Sequence, residues 1–133
     1  MRDVVGVRIE VPGLRLQNPL NTRVHWRVLS KRGKDAKEAT GYALLGADWS
    51  SLPRPTADSP WLVVITRLGP GLLDDDNLAA SAKHVRDAIA KWCGVDDRHR
   101  HIVLYRYEQE RAKEYGVRIE ITAMQQSTPK KIT

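Results

Sequence analysis

Cysteine is nearly absent from this sequence: its 133 residues include one, Cys93. A lone cysteine permits no internal disulfide. It also removes zinc-ribbon and zinc-finger arrangements, which need four Cys or His ligands at set spacings. Long apolar runs are missing as well, and no stretch approaches the roughly 18 residues that a membrane-spanning helix requires. The opening MRDVVGVRIE alternates and carries charge where a secretory signal would have an apolar block. There is no internal repeat. A reducing compartment and no membrane partner are the expectations that follow.

Positive charge is what the chain has in excess: 22 Lys and Arg oppose 16 Asp and Glu, a formal net charge of +6. With a pI near 9.7 this is mild support for a polyanionic partner. The two signs are segregated. Arg23, Arg27, Lys31, Arg32, Lys34 and Lys37 face Asp35 alone over their stretch, whereas Asp74, Asp75, Asp76, Asp87, Asp96 and Asp97 collect in the second half.

The length suits one domain. Val4–Val11 alternates and is rich in Val and Ile, which predicts a strand ended by Pro12 and Gly13. A helix is expected over Asp35–Leu45 at least, with Gly33 interrupting any helical segment that begins near Asn21. Prolines and small polar residues mark 47–60 as a loop. Trp61–Leu68 is a nearly continuous apolar run, the pattern of a strand covered on both faces. Leu78, Ala82, Val85, Ile89 and Trp92 recur at three- and four-residue intervals and predict one helix over Asn77–Trp92 with a buried stripe, closed by Gly94. Ile102–Glu108 and Val117–Thr122 read as strands paired antiparallel through the turn at 110–116. The expected fold is α+β, a single small domain over 1–124 with a mixed sheet of about four strands packed by helices. Residues 125–133 read as a polar, disordered tail.

Leu72-Leu73-Asp74-Asp75-Asp76-Asn77 carries the chemistry. A helix cap accounts for one or two of these polar residues, not for three adjacent carboxylates that repel one another. In extended chain Asp74 and Asp76 point the same way and can face one pocket. Hard oxygen ligands with no His or Cys beside them suit Mg²⁺ or Mn²⁺ rather than zinc. If the chain doubles back after the helix, one of Asp96 or Asp97 completes a three-carboxylate site. Lys83 lies seven residues beyond Asp76, about two turns on, and so on the same side of a continuous helix. There it can offset charge on a phosphate or protonate a leaving oxygen. The alternative is an ordinary i,i+4 ion pair with Asp87 worth a few tenths of a kcal/mol.

The run Asp74-x-Asp76-Asn77-Leu78, then Lys83-x-x-x-Asp87-Ala88-Ile89, then Gly94-Val95-Asp96-Asp97, resembles the RusA family of Holliday-junction resolvases and related phage endonucleases. The resemblance covers roughly residues 61–122. It implies a Mg²⁺-dependent crossover junction endodeoxyribonuclease, with Mn²⁺ able to substitute, that acts as a homodimer on four-way DNA junctions. By that resemblance Asp74, Asp76 and Asp97 are the catalytic and metal-binding acids, with Asp96 beside them. Lys83 is then the catalytic lysine, and Asn77 and Asp87 are supporting residues. The products implied are 5′-phosphate and 3′-hydroxyl ends, and the setting is the cytoplasm of a bacterium or of a phage-infected host. In the family the lysine follows the second Asp by four residues; here it follows by seven, a shift of roughly 4.5 Å along a helix axis. A less selective branched-DNA or flap endonuclease and a non-catalytic nucleic-acid-binding protein are the alternative functions.

With a polyanion-cleaving site proposed, Arg23, Arg27, Lys31, Arg32, Lys34 and Lys37 become candidate phosphate contacts, joined by Arg98 and Arg100 near the acidic pocket. If the segment is helical, Arg27, Lys31 and Lys34 form one stripe. His25-Trp26 either meets DNA, with Trp26 stacking on bases, or packs internally. His84 is expected to face solvent. His99 and His101 lack a third soft ligand for zinc, and Cys93 is expected to be a buried filler.

Overall fold

Alternating hydrophobicity organises the sheet. In the computed structural model, which describes residues 6–17, 26–95 and 102–124, four strands are formed: β1 (Gly6–Pro12), β2 (Trp61–Gly69), β3 (Val103–Arg111) and β4 (Gly116–Ala123). Their spatial order is β1-β4-β2-β3. β4 runs antiparallel to both β1 and β2, while β3 lies parallel to β2. Three helices complete the described residues: α1 (Trp26–Leu45), α2 (Asp75–Ser81) and α3 (Lys83–Cys93). The chain is thus a small α+β domain with a mixed four-stranded sheet.

One face of the sheet is buried. Ile9 and Val11 from β1, Val63 and Ile65 from β2, Val103 from β3, and Val117, Ile119 and Ile121 from β4 pack with Leu44 of α1 and Val85, Ile89 and Cys93 of α3. On β1, β3 and β4 the intervening residues turn away from this core, and most carry charge. Arg118 reaches Glu110 at 2.9 Å, Arg8 reaches Glu10 at 3.0 Å and Arg106 reaches Glu108 at 3.3 Å. The expectation that β2 is covered on both faces holds only in part: on the second face Thr66 is buried, but Leu62, Val64 and Leu68 are half-buried. The apolar run reflects a central position between β4 and β3 rather than a second layer of helices.

β3 and β4 do not form the expected hairpin. Parallel β3 takes one edge of β2 and β4 takes the other, so the short link between them must cross the end of β2. Ala112 donates its N–H to the Gly69 carbonyl at 2.9 Å, and Gly13 donates to that of Tyr115 at the same distance. A Cβ on Gly69 would lie 2.9 Å from the Tyr115 ring, so glycine is what lets the crossing chain come this close.

α1 runs unbroken through Gly33, contrary to the expected interruption. Glycine inside a helix costs about 1 kcal/mol relative to alanine. The compensation is contact: a Cβ at Gly33 would stand 2.7 Å from the His84 imidazole, so α3 packs its histidine directly on the α1 backbone. His84 is consequently half-buried rather than turned to solvent.

The predicted helix over Asn77–Trp92 is two helices. Ala82 (φ −94°, ψ 2°) leaves helical geometry and donates to the Ala79 carbonyl at 3.2 Å, while the Ser81 hydroxyl bonds back to the Leu78 carbonyl at 2.7 Å. Leu78, Ala82, Val85 and Ile89 are buried as expected. The stripe then continues to Cys93, leaving Trp92 exposed. Gly94 closes α3 in the left-handed conformation at φ 72°. Cys93 is the expected buried filler, and burial pushes its thiol up to about 11.

Candidate functional site

Parallel pairing brings the ends of β2 and β3 together, and there the acidic turn is built. Arg67 stands opposite Gln109 in the register. Arg67 is 94 % removed from solvent, with 6 % relative exposure, and its guanidinium donates to two backbone carbonyls: Nε to Leu16 at 3.1 Å and Nη1 to Gly71 at 2.7 Å. Gln109 holds the next piece of chain. Its Nε2 donates to the Leu73 carbonyl at 2.6 Å and its Oε1 accepts from the Leu73 N–H at 2.9 Å. The backbone entering the acidic triplet is thus held by residues of both parallel strands.

Asp74 caps α2, its Oδ1 accepting from the Asn77 N–H at 3.3 Å, while Asp75 and Asp76 occupy the first helical turn. Of the polar residues in this run, Asp74 is the one that takes the cap. Asp75 and Asp76 are already helical, so the alternation of extended chain does not apply to the triplet. All three carboxylates are exposed, and none pairs with a cation among the described residues. Carboxylate oxygens are donors of the kind a hard dication takes. Among the described residues no group of three His, Cys, Asp or Glu side chains is assembled for a metal. Asp96 and Asp97, the further acids of the expected set, lie outside the described residues, as do Arg98, Arg100, His99 and His101.

Lys83 opens α3, and its Nζ meets Asp87 at 3.1 Å, with 59 % of the side chain still exposed. The interruption at Ala82 removes the argument that Lys83 must share a helix face with Asp76. Asp87 also lies 3.8 Å from Arg86, whose Nη1 reaches the Tyr107 hydroxyl at 3.5 Å. Asp87 thus joins the ion pairs of α3.

The basic residues divide by whether acids already claim them. Arg27, Lys31, Lys34 and Lys37 are exposed along α1, and Lys31 pairs with Asp35 at 2.9 Å. Arg32 is half-buried and lines a 100 Å³ cavity with Arg15, Ser81 and His84. Lys34 and Lys37 border an 830 Å³ groove between α1 and α3, across which stand Lys91 and Trp92. His84 belongs to both cavities; burial first, then the charges of Lys37 and Lys83, lower its pKa below 6.5. Arg23 and His25 lie outside the described residues.

Sequence reasoning missed Arg67, Gln109, Lys91 and Trp92. An arginine inside the otherwise apolar WLVVITRL was the available signal for the first. Nothing local marks Gln109, because its role depends on which strand β3 pairs with.

No family model matches the chain. An uncharacterized protein of Xylella fastidiosa (strain Temecula1 / ATCC 700964) is 41 % identical over 85 residues, an alignment taking in 59 % of this chain and 52 % of that protein. The chain therefore spans about half the length of this relative. No helix among the described residues is long and apolar enough to cross a membrane.

Proposed function

We propose that this chain is a metal-dependent endodeoxyribonuclease that resolves four-way DNA junctions by paired, symmetric phosphodiester hydrolysis. It would act as a cytoplasmic homodimer with Mg²⁺, for which Mn²⁺ substitutes. The observation that supports the reading is the acidic turn itself. In a protein of net charge +6, three adjacent exposed carboxylates have no cationic partner among the described residues, yet the chain leading into them is held at Gly71 and Leu73 by Arg67 and Gln109. A turn that serves only as a helix cap needs neither the second and third carboxylates nor this anchoring.

Asp74 and Asp76, with Asp97 and Asp96 beside it, would hold the ion, which supplies Lewis-acid stabilisation of a phosphate oxygen and a bound water of lowered pKa. Asp74 keeps Oδ2 free of the cap bond that engages Oδ1. Lys83 offers an exposed ammonium at the start of α3, paired with Asp87, to offset charge on the phosphoryl and leaving oxygens. The exposed cations of α1 hold flanking phosphates without reading sequence.

A second reading, a non-catalytic nucleic-acid-binding protein, is favoured by two contacts: Asp74 has a capping role and Lys83 an acidic partner. One assay separates them. A mobile four-way junction, a flap, a linear duplex and a single strand are incubated with Mg²⁺ and wild-type protein or Asp76→Asn. Paired nicks confined to the junction and lost in the variant support a resolvase. Cleavage of every substrate reduces it to a less selective endonuclease, and binding without cleavage favours the second reading.

A further inference from the structure

The groove between α1 and α3 gathers lysines that have no acidic partner among the described residues and an aromatic ring that the core does not use. Lys34 and Lys37 stand on the α1 wall and Lys91 and Trp92 on the α3 wall. None of the three lysines is ion-paired among the described residues, whereas Lys31 and Lys83 are tied to Asp35 and Asp87. The acids bordering the groove are Glu38 and Asp87, and Asp87 is already engaged by Lys83.

Trp92 is 41 % exposed, although its indole is among the largest apolar surfaces a side chain can bury. It rests on a fixed base. Its ring lies 6.1 Å from that of Trp49, which stacks on Trp61 at 6.0 Å. The other two indoles are locked by hydrogen bonds, Trp49 to the Leu44 carbonyl and Trp61 to that of Pro53, both at 2.8 Å. Trp92 makes no such bond among the described residues. A partly exposed ring packed against Trp49, beside cations, matches what an unstacked base and its phosphates require. A closed duplex shows no base face to such a ring.

We propose that this groove binds an unpaired stretch of nucleic acid, with Lys34, Lys37 and Lys91 on the phosphates and Trp92 stacked on a base. The proposal rests on the nucleic-acid reading above, but not on the metal-dependent chemistry.

Fluorescence anisotropy of a labelled ten-nucleotide oligothymidylate, in EDTA and across a salt series, tests it with the full chain. Wild type is expected to bind, and Trp92→Ala to weaken binding roughly tenfold. Trp92→Phe should retain most of the affinity, and thermal melts of both variants guard against unfolding. Replacing the three lysines with glutamine should lower the slope of log affinity against log salt by about 2. Tyr42, exposed on α1 but outside the groove, is the control. The proposal is overturned if wild type ignores the oligonucleotide, if Tyr42→Ala weakens it as much as Trp92→Ala, or if Trp92→Ala affects a matched duplex equally. Because metal is absent, loss of junction cleavage alone would count against the nuclease reading and leave this result intact.

Discussion

Gln109 clasps Leu73 through both ends of its amide, donating to the carbonyl at 2.6 Å and accepting from the N–H at 2.9 Å. One side chain on β3 thereby sets the backbone one residue before the acidic triplet that follows β2. Gln109→Leu removes both bonds while nearly preserving volume. Each such bond contributes about 1 kcal/mol, so chemical denaturation should show a loss of about 1–2 kcal/mol. Under the proposed function, cleavage at saturating DNA should fall at least tenfold at a temperature where the variant remains folded. Equal cleavage by wild type and variant would show that the clasp does not position the carboxylates.

Asp74 has two separable roles to test. Asparagine and aspartate cap helices about equally well, and alanine costs about 1 kcal/mol. Asp74→Asn should therefore melt close to wild type, and Asp74→Ala lower. Both should abolish Mg²⁺-dependent cleavage if the carboxylate is a ligand. Full activity in Asp74→Asn would leave Asp74 as a cap alone.

Gly33 and His84 form a pair whose coupling has a definite sign. Gly33→Ala gains about 1 kcal/mol of helix propensity, but its Cβ would meet the imidazole at 2.7 Å. Overpacking of this kind costs about 1–3 kcal/mol, so the single variant should be destabilised or unchanged. In a His84→Ala background the obstacle is gone, and the same Gly33→Ala change should stabilise. A double-mutant cycle from urea midpoints reads the reversal; equal effects in both backgrounds would refute the close packing.

His84 also predicts a pH dependence. Burial, with Lys37 and Lys83 nearby, lowers its pKa in the folded protein below 6.5, against a smaller opposing effect of Asp87. The unfolded chain therefore takes up the proton first as pH falls. Stability from this residue is complete above about pH 6.5 and declines below it, until the folded form also protonates. Urea midpoints at pH 7.5 and pH 5 should differ less in His84→Gln than in wild type. An unchanged difference would assign the decline to other groups.

The strand segments, the loop at 47–60, the α3 end at Gly94 and the buried Cys93 were legible because each is written in local pattern or local backbone need. The same periodicity misled where two solutions were available. After Ile89 the buried stripe could continue at either Trp92 or Cys93, and packing against the sheet buries Cys93 and leaves Trp92 exposed. Gly33 looked like a helix stop because its partner, His84, is distant in sequence. The acidic triplet could be located but not its geometry, since an N-cap and an extended ligand pair have the same letters.

By itself the sequence determined which segments alternate, where acids and bases concentrate, and that one helix begins at the acidic triplet. Those properties depend on residues within a few positions of each other. Only the tertiary structure decided that β3 lies parallel beside β2, and so that Arg67 and Gln109 together anchor the turn. It alone placed Lys91 and Trp92 across a groove from Lys34 and Lys37. Such pairings depend on which edges and faces bury the most apolar surface together, a property of the whole core that no local stretch of chain encodes.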